Sequence, residues 1–227
     1  MALTIYRSDW TQRPIQGVLF DMDGLVIDTE KLYARFWMEA CQFYGFPMTW
    51  EQALRMRAAN GKLSEANLHE FFGPDVNYRQ CRAKRIELME AHIDRFGLEE
   101  KPGIRDLLDV LQQKGIATAI TSSSPRDRIK KHLSSLDLYH RFDKICSGYE
   151  VPLGKPEPDI YLHGAASIGI PPQHCLALED APTGILSAYT AGCMTVMVPD
   201  QDEPNDAMLR MLYAKADSLY DVICLIK

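Results

Sequence analysis

Two aspartates separated by one residue follow the first apolar run of the chain. Asp21 and Asp23 stand in the stretch "VLFDMDGLVIDTE", directly after the apolar residues 18–20. A carboxylate has a pKa of about 4 in model peptides, so Asp21 is expected to be anionic at neutral pH and able to act as a nucleophile. The same pattern is also typical of a turn or a helix cap, because Asp and Gly both favour turns. Taken alone, it leaves a catalytic and a structural interpretation open.

Polar side chains also follow other predicted strands. Ser122 ends the apolar stretch "IATAITS", and Glu179 and Asp180 end "CLALED". Lys155 lies in "LGKPEPD", a loop bracketed by Gly and Pro that follows a short strand predicted near Ile145. In parallel sheets, ligands bind beyond the carboxyl ends of the strands. Four separate segments are therefore predicted to bring polar groups to one edge of one sheet.

Four of these groups are carboxylates, namely Asp21, Asp23, Glu179 and Asp180. Gathered at one edge, they would repel one another strongly unless a cation lies among them. Oxygen ligands without His or Cys suit Mg²⁺, which often bridges to a phosphate group. The six histidines and six cysteines form no H-x-H, H-E-x-x-H or C-x-x-C motif, so a zinc site is not expected.

Lys155 and the stretch "SSSPRD" are candidates for binding a phosphate. Lys155 supplies positive charge towards an anionic substrate. In "SSSPRD", Ser124 is predicted to cap a helix whose first residue is Pro125. The free N–H groups at the start of such a helix form a favourable site for a phosphate.

The elements that must position these residues form two regions. Over residues 29–97, four segments show helical spacing, the third of them starting at Ser64, and no convincing strand is present. After residue 101, helical patterns alternate with short apolar strands, which predicts crossover units and a mostly parallel sheet. We therefore predict an α/β protein with a doubly wound, mostly parallel sheet built from residues 1–28 and 98–227 and an all-α insert at 29–97.

The composition limits the partners and the compartment. The net charge is −6 and no block of Lys and Arg is present, so neither nucleic acid nor a membrane is expected as a partner. No segment approaches the roughly 18 apolar residues that a membrane helix needs, and the N-terminus lacks the apolar run of a signal peptide. The scattered cysteines are interpreted as buried or partly buried thiols of a reducing cytosol, which predicts a cytoplasmic protein.

The order and spacing of these motifs resemble the haloacid dehalogenase superfamily of aspartate-nucleophile phosphatases and mutases. "DMDGLVIDTE" is similar to its first motif, "ITSSS" to its second, "GKPEPD" to its third and "LEDAPTGI" to its fourth. The resemblance covers nearly the whole chain and looks strongest to the β-phosphoglucomutase-like branch. It implies a Rossmann-like catalytic core with the insert as a small helical cap. It also implies a Mg²⁺-dependent phosphatase of a sugar phosphate or nucleoside monophosphate. The expected assembly is a monomer or weak dimer.

The resemblance further implies a catalytic role for each motif. Asp21 would attack phosphorus and form an aspartyl-phosphate. Asp23 would protonate the leaving oxygen and later activate the hydrolytic water. Ser122 and Lys155 would bind the oxygens of the transferring phosphoryl group.

The implied metal ligands come from the first and fourth motifs. Mg²⁺ would be held by Asp21, the backbone carbonyl of Asp23, and Asp180. Glu179 would be a ligand directly or through water.

Two alternatives outside phosphate transfer are disfavoured by residues in these motifs. Dehalogenases of the superfamily use a lone aspartate and need no Mg²⁺, so Asp23, Glu179 and Asp180 speak against that reaction. A non-catalytic sensor of phosphorylated metabolites would be marked by loss of Asp21 or Asp23, and both are present.

A sugar phosphomutase similar to β-phosphoglucomutase remains the alternative enzyme. Those mutases carry a His shortly after the first motif and an Arg in the cap. Here Tyr33 stands in the first place and Ser64 in the second, with Lys62, Arg55 or Arg57 as candidate substitutes. We therefore favour a hydrolase over a mutase.

Substrate choice is expected to depend on the cap. The residues considered for the cleft are Tyr33, Trp37, Arg57 and Asn60. Trp37 fits the apolar core of the cap better than the cleft.

Overall fold

The computed structural model describes residues 3–57, 61–200 and 203–226 of the chain. The chain divides into two compact units, of which the larger contains Met1–Asp28 together with Glu99–Lys227. The smaller unit is Thr29–Leu98, one residue longer than the insert expected at 29–97.

The larger unit is built on one sheet. Among the described residues its seven strands are β1 (Leu3–Ile5), β2 (Gly17–Phe20), β3 (Ala117–Ser122), β4 (Lys144–Ser147), β5 (Cys175–Glu179), β6 (Met194–Met197) and β7 (Ala214–Ala216). Their order across the sheet is β1-β7-β6-β5-β2-β3-β4. All neighbouring strands run parallel except β1 and β7. The predicted α/β class with a mostly parallel sheet is confirmed.

β2 lies where the chain reverses its progress across the sheet. From β2 the chain continues to β3 and β4 on one side, and then places β5, β6 and β7 on the other side. All four residues of β2 are buried, as expected for a central strand of a parallel sheet with both faces covered. In open α/β sheets, the crevice for a ligand forms at such a switch point. The residue that follows Phe20 therefore stands at the preferred place for a ligand site.

The edge strand β1 was not predicted. It has only three residues, and two of them are exposed. A segment this short shows no periodic pattern of hydrophobic residues from which a strand could be predicted. It pairs antiparallel with β7, Leu3 lying opposite Ala216. That pairing joins residues from the two ends of the chain, which no local pattern indicates.

Among the described residues of the smaller unit, helices joined by short loops are present and no strand is, as predicted. Its helices are α1 (Glu30–Phe43), α2 (Trp50–Arg57), α3 (Gly61–Phe72) and α4 (Tyr78–Phe96). At the start of α4, Asn77 Oδ1 accepts a hydrogen bond from the Gln80 N–H at 3.1 Å. This side chain satisfies one of the free donors of the first turn.

The predicted start of α3 at Ser64 was wrong. The helix begins at Gly61, and Ser64 lies inside it with a buried side chain. Ser is common at helix starts because its hydroxyl can bond to the free N–H groups. Inside this helix the packing of the unit decides the position instead, which outweighs the local preference of one residue.

Six further helices belong to the larger unit in the part of the chain that the structure describes. They are α5 (Ile104–Lys114), α6 (Arg126–Ser135), α7 (Asp159–Ser167), α8 (Pro182–Thr190), α9 (Asp206–Leu209) and α10 (Leu219–Val222). α5 buries Leu107, Leu108 and Leu111 at helical spacing. Gly115 follows its last residue, and its φ of 64° favours glycine. Over the described residues, no helix is both long and apolar enough to cross a bilayer.

Candidate active site

Asp21 is fixed at the carboxyl end of β2. Its backbone N–H donates to the carbonyl of Leu178 at 3.0 Å, which extends the pairing of β2 with β5 by one residue. Its side chain is largely buried, with 9% of the residue exposed. Because the backbone is held by the sheet, the position of the carboxylate at the switch point is set before any ligand binds.

A tight turn follows Asp21 and carries Asp23. Gly24 has a φ of 88°, a conformation that glycine adopts without the steric cost of a side chain. Its N–H donates to the Ile27 carbonyl at 2.9 Å, and the Ile27 N–H donates back to Met22 at 3.0 Å. The turn therefore places Asp23 close after Asp21 on a backbone with its own hydrogen bonds.

Lys155 links two carboxylates of the site. Its Nζ donates to Asp21 Oδ1 at 2.5 Å and to Glu179 Oε1 at 2.6 Å. The side chain of Lys155 is only 8% exposed. A buried ammonium group requires such partners, since an unpaired buried charge is strongly unfavourable.

The charges of this cluster shift the pKa values of its members. Burial raises the pKa of Asp21 to about 7, with a further increase from the charges of Glu179 and Asp23 that Lys155 partly offsets. Burial would lower the pKa of Lys155, but the negative charges of Asp21 and Glu179 outweigh it and raise that pKa. Lys155 is therefore protonated at neutral pH, and one cation faces several acidic groups.

Three carboxylates could together hold a metal ion. Asp21, Glu179 and Asp180 are buried, and one oxygen atom of each lies within 4.8 Å of the others. The donor set contains only carboxylate oxygen atoms, which are the ligands that Mg²⁺ prefers. Burial is the main cause of the raised pKa of Asp21, and the charges of Glu179 and Asp23 add to it, so a cation bound here would favour the ionised carboxylate. These residues therefore fit a divalent cation of this kind.

The predicted metal role of Asp23 rests on its backbone carbonyl, and the carboxylate cluster does not include its side chain. That side chain instead accepts a hydrogen bond at Oδ2 from Ser124 Oγ at 3.2 Å. The contribution of Asp23 to a metal site stays a prediction.

Ser122 is the last residue of β3, the strand next to β2, and it is buried. Its Oγ accepts a hydrogen bond from the Ser124 N–H at 3.1 Å. The structure thus places this hydroxyl at the same edge of the sheet as Asp21.

The predicted helix start at Ser124 and Pro125 was wrong. α6 begins at Arg126, Pro125 occupies the position before it, and no side chain caps the helix. The Ser124 hydroxyl donates to Asp23 instead. This hydrogen bond could not be predicted from the sequence, because Asp23 lies far from Ser124 in the chain. The local preference of Ser for helix caps favoured the capping interpretation instead.

Two residues at the site were missed from the sequence. Tyr161, on α7, is fully buried and donates its hydroxyl hydrogen to Glu179 Oε1. Gly184, in the first turn of α8, has no side chain, and a Cβ there would lie 2.0 Å from the Glu179 carboxylate. The sequence signals were weak, since Tyr161 reads as an ordinary apolar position of a helix and Gly184 as a residue of "APTGI".

A cavity of about 580 Å³ lies elsewhere in the larger unit, near the amino ends of β3 and β4. Its lining includes Thr118, Arg141 and Lys144 but none of the predicted site residues. Arg141 and Thr118 already bind partners, Asp109 and Asp143 respectively. The cavity is therefore separate from the carboxylate cluster.

In the smaller unit, the aromatic residues considered for substrate contact pack with other residues of that unit. Trp37 is 3% exposed and belongs to its apolar core. The Arg85 guanidinium lies over the ring of Tyr33, 4.5 Å from its centroid. Arg55 binds Glu70 through two hydrogen bonds of 2.9 and 2.7 Å, so its charge is already paired within this unit.

The other two residues considered for the cleft are Arg57 and Asn60. Asn60 lies outside the described residues, and the side chain of Arg57 is not described.

Comparison with known proteins gives consistent matches across the chain. The family model described as haloacid dehalogenase-like hydrolase matches residues 18–198. Hexitol phosphatase A of Escherichia coli strain K12 is 33% identical over 189 residues, covering 81% of this chain and 82% of that protein. Hexitol phosphatase B of the same strain is 29% identical over 221 residues, covering 93% of this chain and 96% of that protein.

A solved structure agrees with the fold. The crystal structure of a putative β-phosphoglucomutase from Thermotoga maritima matches with a TM-score of 0.70 and 28% identity, covering 86% of this chain and 91% of that chain. The predicted Rossmann-like architecture is thereby confirmed.

Proposed function

The chain belongs to the haloacid dehalogenase-like hydrolase family and is a phosphoric monoester hydrolase, and we propose that it acts on small phosphorylated metabolites through a phosphorylated Asp21. The observation that carries this proposal is the pairing of Asp21 with Lys155. A carboxylate fixed at the switch point lies within 2.5 Å of a buried ammonium group. That arrangement suits attack on a phosphoryl group whose own negative charge must also be compensated.

In the proposed reaction, Asp21 attacks phosphorus while the bond from phosphorus to the leaving oxygen breaks. Asp23 donates a proton to that oxygen, so the product leaves as a neutral hydroxyl group. Asp23 then accepts a proton from water as the water attacks phosphorus. Inorganic phosphate is released and the Asp21 carboxylate is restored.

Other residues of the site act on charge and orientation. Lys155 and Ser122 bind oxygens of the phosphoryl group, and Ser124 orients Asp23 through its hydrogen bond of 3.2 Å. Asp21, Glu179, Asp180 and the backbone carbonyl of Asp23 would hold Mg²⁺. When bound, Mg²⁺ would reduce the repulsion between the phosphoryl oxygens and the nucleophile.

The proposed substrate class is a phosphorylated sugar or sugar alcohol, with nucleoside monophosphates next. The names of the two hexitol phosphatases support the first choice. A phosphomutase remains the second candidate, because the solved structure from Thermotoga maritima is named as a putative β-phosphoglucomutase.

The test is phosphate release from a panel of metabolites by the purified protein. The panel contains hexitol phosphates, hexose phosphates and nucleoside monophosphates, each assayed with Mg²⁺ and with excess EDTA. We expect release that requires Mg²⁺ and is fastest with a hexitol or hexose phosphate. Absence of phosphate release from every member of the panel would contradict the proposal. Conversion of a sugar 1-phosphate to its 6-phosphate without phosphate release would favour the mutase.

A further inference from the structure

Glu179 is held by two donors at a single oxygen atom. Its Oε1 accepts from Lys155 Nζ at 2.6 Å and also from the hydroxyl of Tyr161. Within the part of the chain that the structure describes, no donor binds its Oε2. The two oxygens therefore differ, one occupied by protein donors and the other available for a further ligand.

The backbone of α8 restricts Glu179 from another direction. A Cβ at Gly184 would lie 2.0 Å from Glu179 Oε1 and 2.2 Å from Oε2. The carboxylate thus packs directly against the backbone of the first turn. With Oε1 bonded and the helix backbone in contact, the orientation of the carboxylate is set by its surroundings.

Tyr161 is suited to fix this orientation. It is fully buried, and its ring also packs near Lys155, whose Nζ lies 5.1 Å from the ring centroid. Unlike Lys155, which also bonds to Asp21, Tyr161 brings a neutral donor that does not change the net charge of the cluster. Its hydroxyl can therefore orient the Glu179 carboxylate without adding a positive charge that would compete with a bound cation.

We propose that Tyr161 is a positioning residue of the metal site: its hydroxyl occupies Oε1 of Glu179, so that Oε2 is presented to a divalent cation. This inference rests on the Mg²⁺ site of the proposed function. Residues that hydrogen-bond to metal ligands commonly change metal affinity by 10–100-fold when they are replaced. The loss expected here is about tenfold, because Lys155 still binds Oε1.

The test is Mg²⁺ binding by calorimetry to the full-length protein without substrate. Tyr161→Phe removes the hydroxyl and keeps the ring, so we expect Mg²⁺ to bind about tenfold more weakly. Tyr213→Phe is the matched control, because Tyr213 is also buried but packs against Trp10. The control should bind Mg²⁺ as the unaltered protein does. Tyr161→Leu is a second variant without the hydroxyl, and it should show the same direction of change.

A kinetic measurement separates positioning from a general loss of structure. In Tyr161→Phe, the Mg²⁺ concentration for half-maximal phosphate release should rise by about tenfold, while the KM for substrate at saturating Mg²⁺ stays unchanged. Equal Mg²⁺ affinity in Tyr161→Phe and the unaltered protein would overturn the role of Tyr161 alone. Absence of Mg²⁺ binding by the unaltered protein would overturn this role and the metal dependence of the proposed function together.

Discussion

At the scale of single residues, the site is a balance of charge around one lysine. Lys155 is within hydrogen-bond distance of both Asp21 and Glu179, and burial makes each of these contacts stronger than it would be in water. Asp21 keeps a pKa of about 7 even so, because burial and the neighbouring carboxylates oppose its ionisation. A cation bound by the carboxylates would supply the charge that Lys155 alone does not.

Replacement of Lys155 tests this balance. We expect Lys155→Met to lower kcat for phosphate release by about 10²–10³-fold, because the variant lacks the fixed positive group that is proposed to bind the phosphoryl oxygens. Lys114→Met is the control, since Lys114 is exposed at the end of α5. The measurement is kcat for phosphate release by each variant at saturating Mg²⁺. Similar rates for the two variants would remove Lys155 from the reaction.

At the scale of elements, the start of α8 and the end of β5 are fitted closely to each other. Glu179 ends β5, and its carboxylate fills the space beside Gly184 where any other residue would place a Cβ. In interiors packed this closely, a single added carbon atom forces neighbouring atoms to move. This contact links the packing of a strand and a helix directly to the position of Glu179, a proposed metal ligand.

Addition of one methyl group at Gly184 should therefore displace Glu179. We expect Gly184→Ala to weaken Mg²⁺ binding and phosphate release by about tenfold or more, since the ligand must move away from its place. Gly61→Ala is the control, because the nearest atom to a Cβ there is 3.6 Å away. Mg²⁺ affinity is measured by calorimetry, and phosphate release is assayed, for both variants. Unchanged Mg²⁺ affinity in Gly184→Ala would show that Glu179 is not a ligand.

The elements were predicted well where their hydrophobic pattern is long and local. The helices of the smaller unit and the alternating elements that follow Ile104 carry clear periods, and so the class of fold was predictable. β1 was missed because three residues carry no period. The start of α6 was misplaced because Ser124 has a partner, Asp23, that lies far away in the chain.

The site likewise contains some residues that could be predicted from the sequence and others that could not. Asp21, Ser122 and Glu179 could be placed because each ends or directly follows an apolar strand, and parallel strands bring such ends to one edge. Tyr161 and Gly184 could not be predicted in the same way. Their importance depends on the packing of α7 and α8 against Glu179, which is a property of three-dimensional contacts.

At the scale of the whole molecule, the thiols are distributed unevenly. The six cysteines are free, and five are buried, namely Cys41, Cys81, Cys146, Cys175 and Cys193. Cys224 is exposed, so the expectation of buried or partly buried thiols was wrong for this residue. Burial raises the pKa of each of the five buried thiols, for Cys175 to about 12. Such thiols hold little of the reactive thiolate at neutral pH.

We therefore expect one thiol of the native protein to react rapidly with a chromogenic disulfide reagent. All six should react after unfolding in denaturant, because the buried groups then become accessible. Cys224→Ser should abolish the rapid phase and leave the activity unchanged. Two or more rapid thiols in the native state would mean that the larger or the smaller unit opens more readily than its packing indicates.

The proposed role of Asp21 as the nucleophile is tested by comparing phosphate release by Asp21→Asn with that of the unaltered protein. The substrate is the best metabolite of the panel at saturating Mg²⁺. Asp217→Asn, at an exposed carboxylate, is the control for the same chemical change. We predict a loss of about 10³-fold or more for Asp21→Asn with an unchanged circular dichroism spectrum, and full activity for the control. Phosphate release by Asp21→Asn within about tenfold of the unaltered rate would contradict the mechanism.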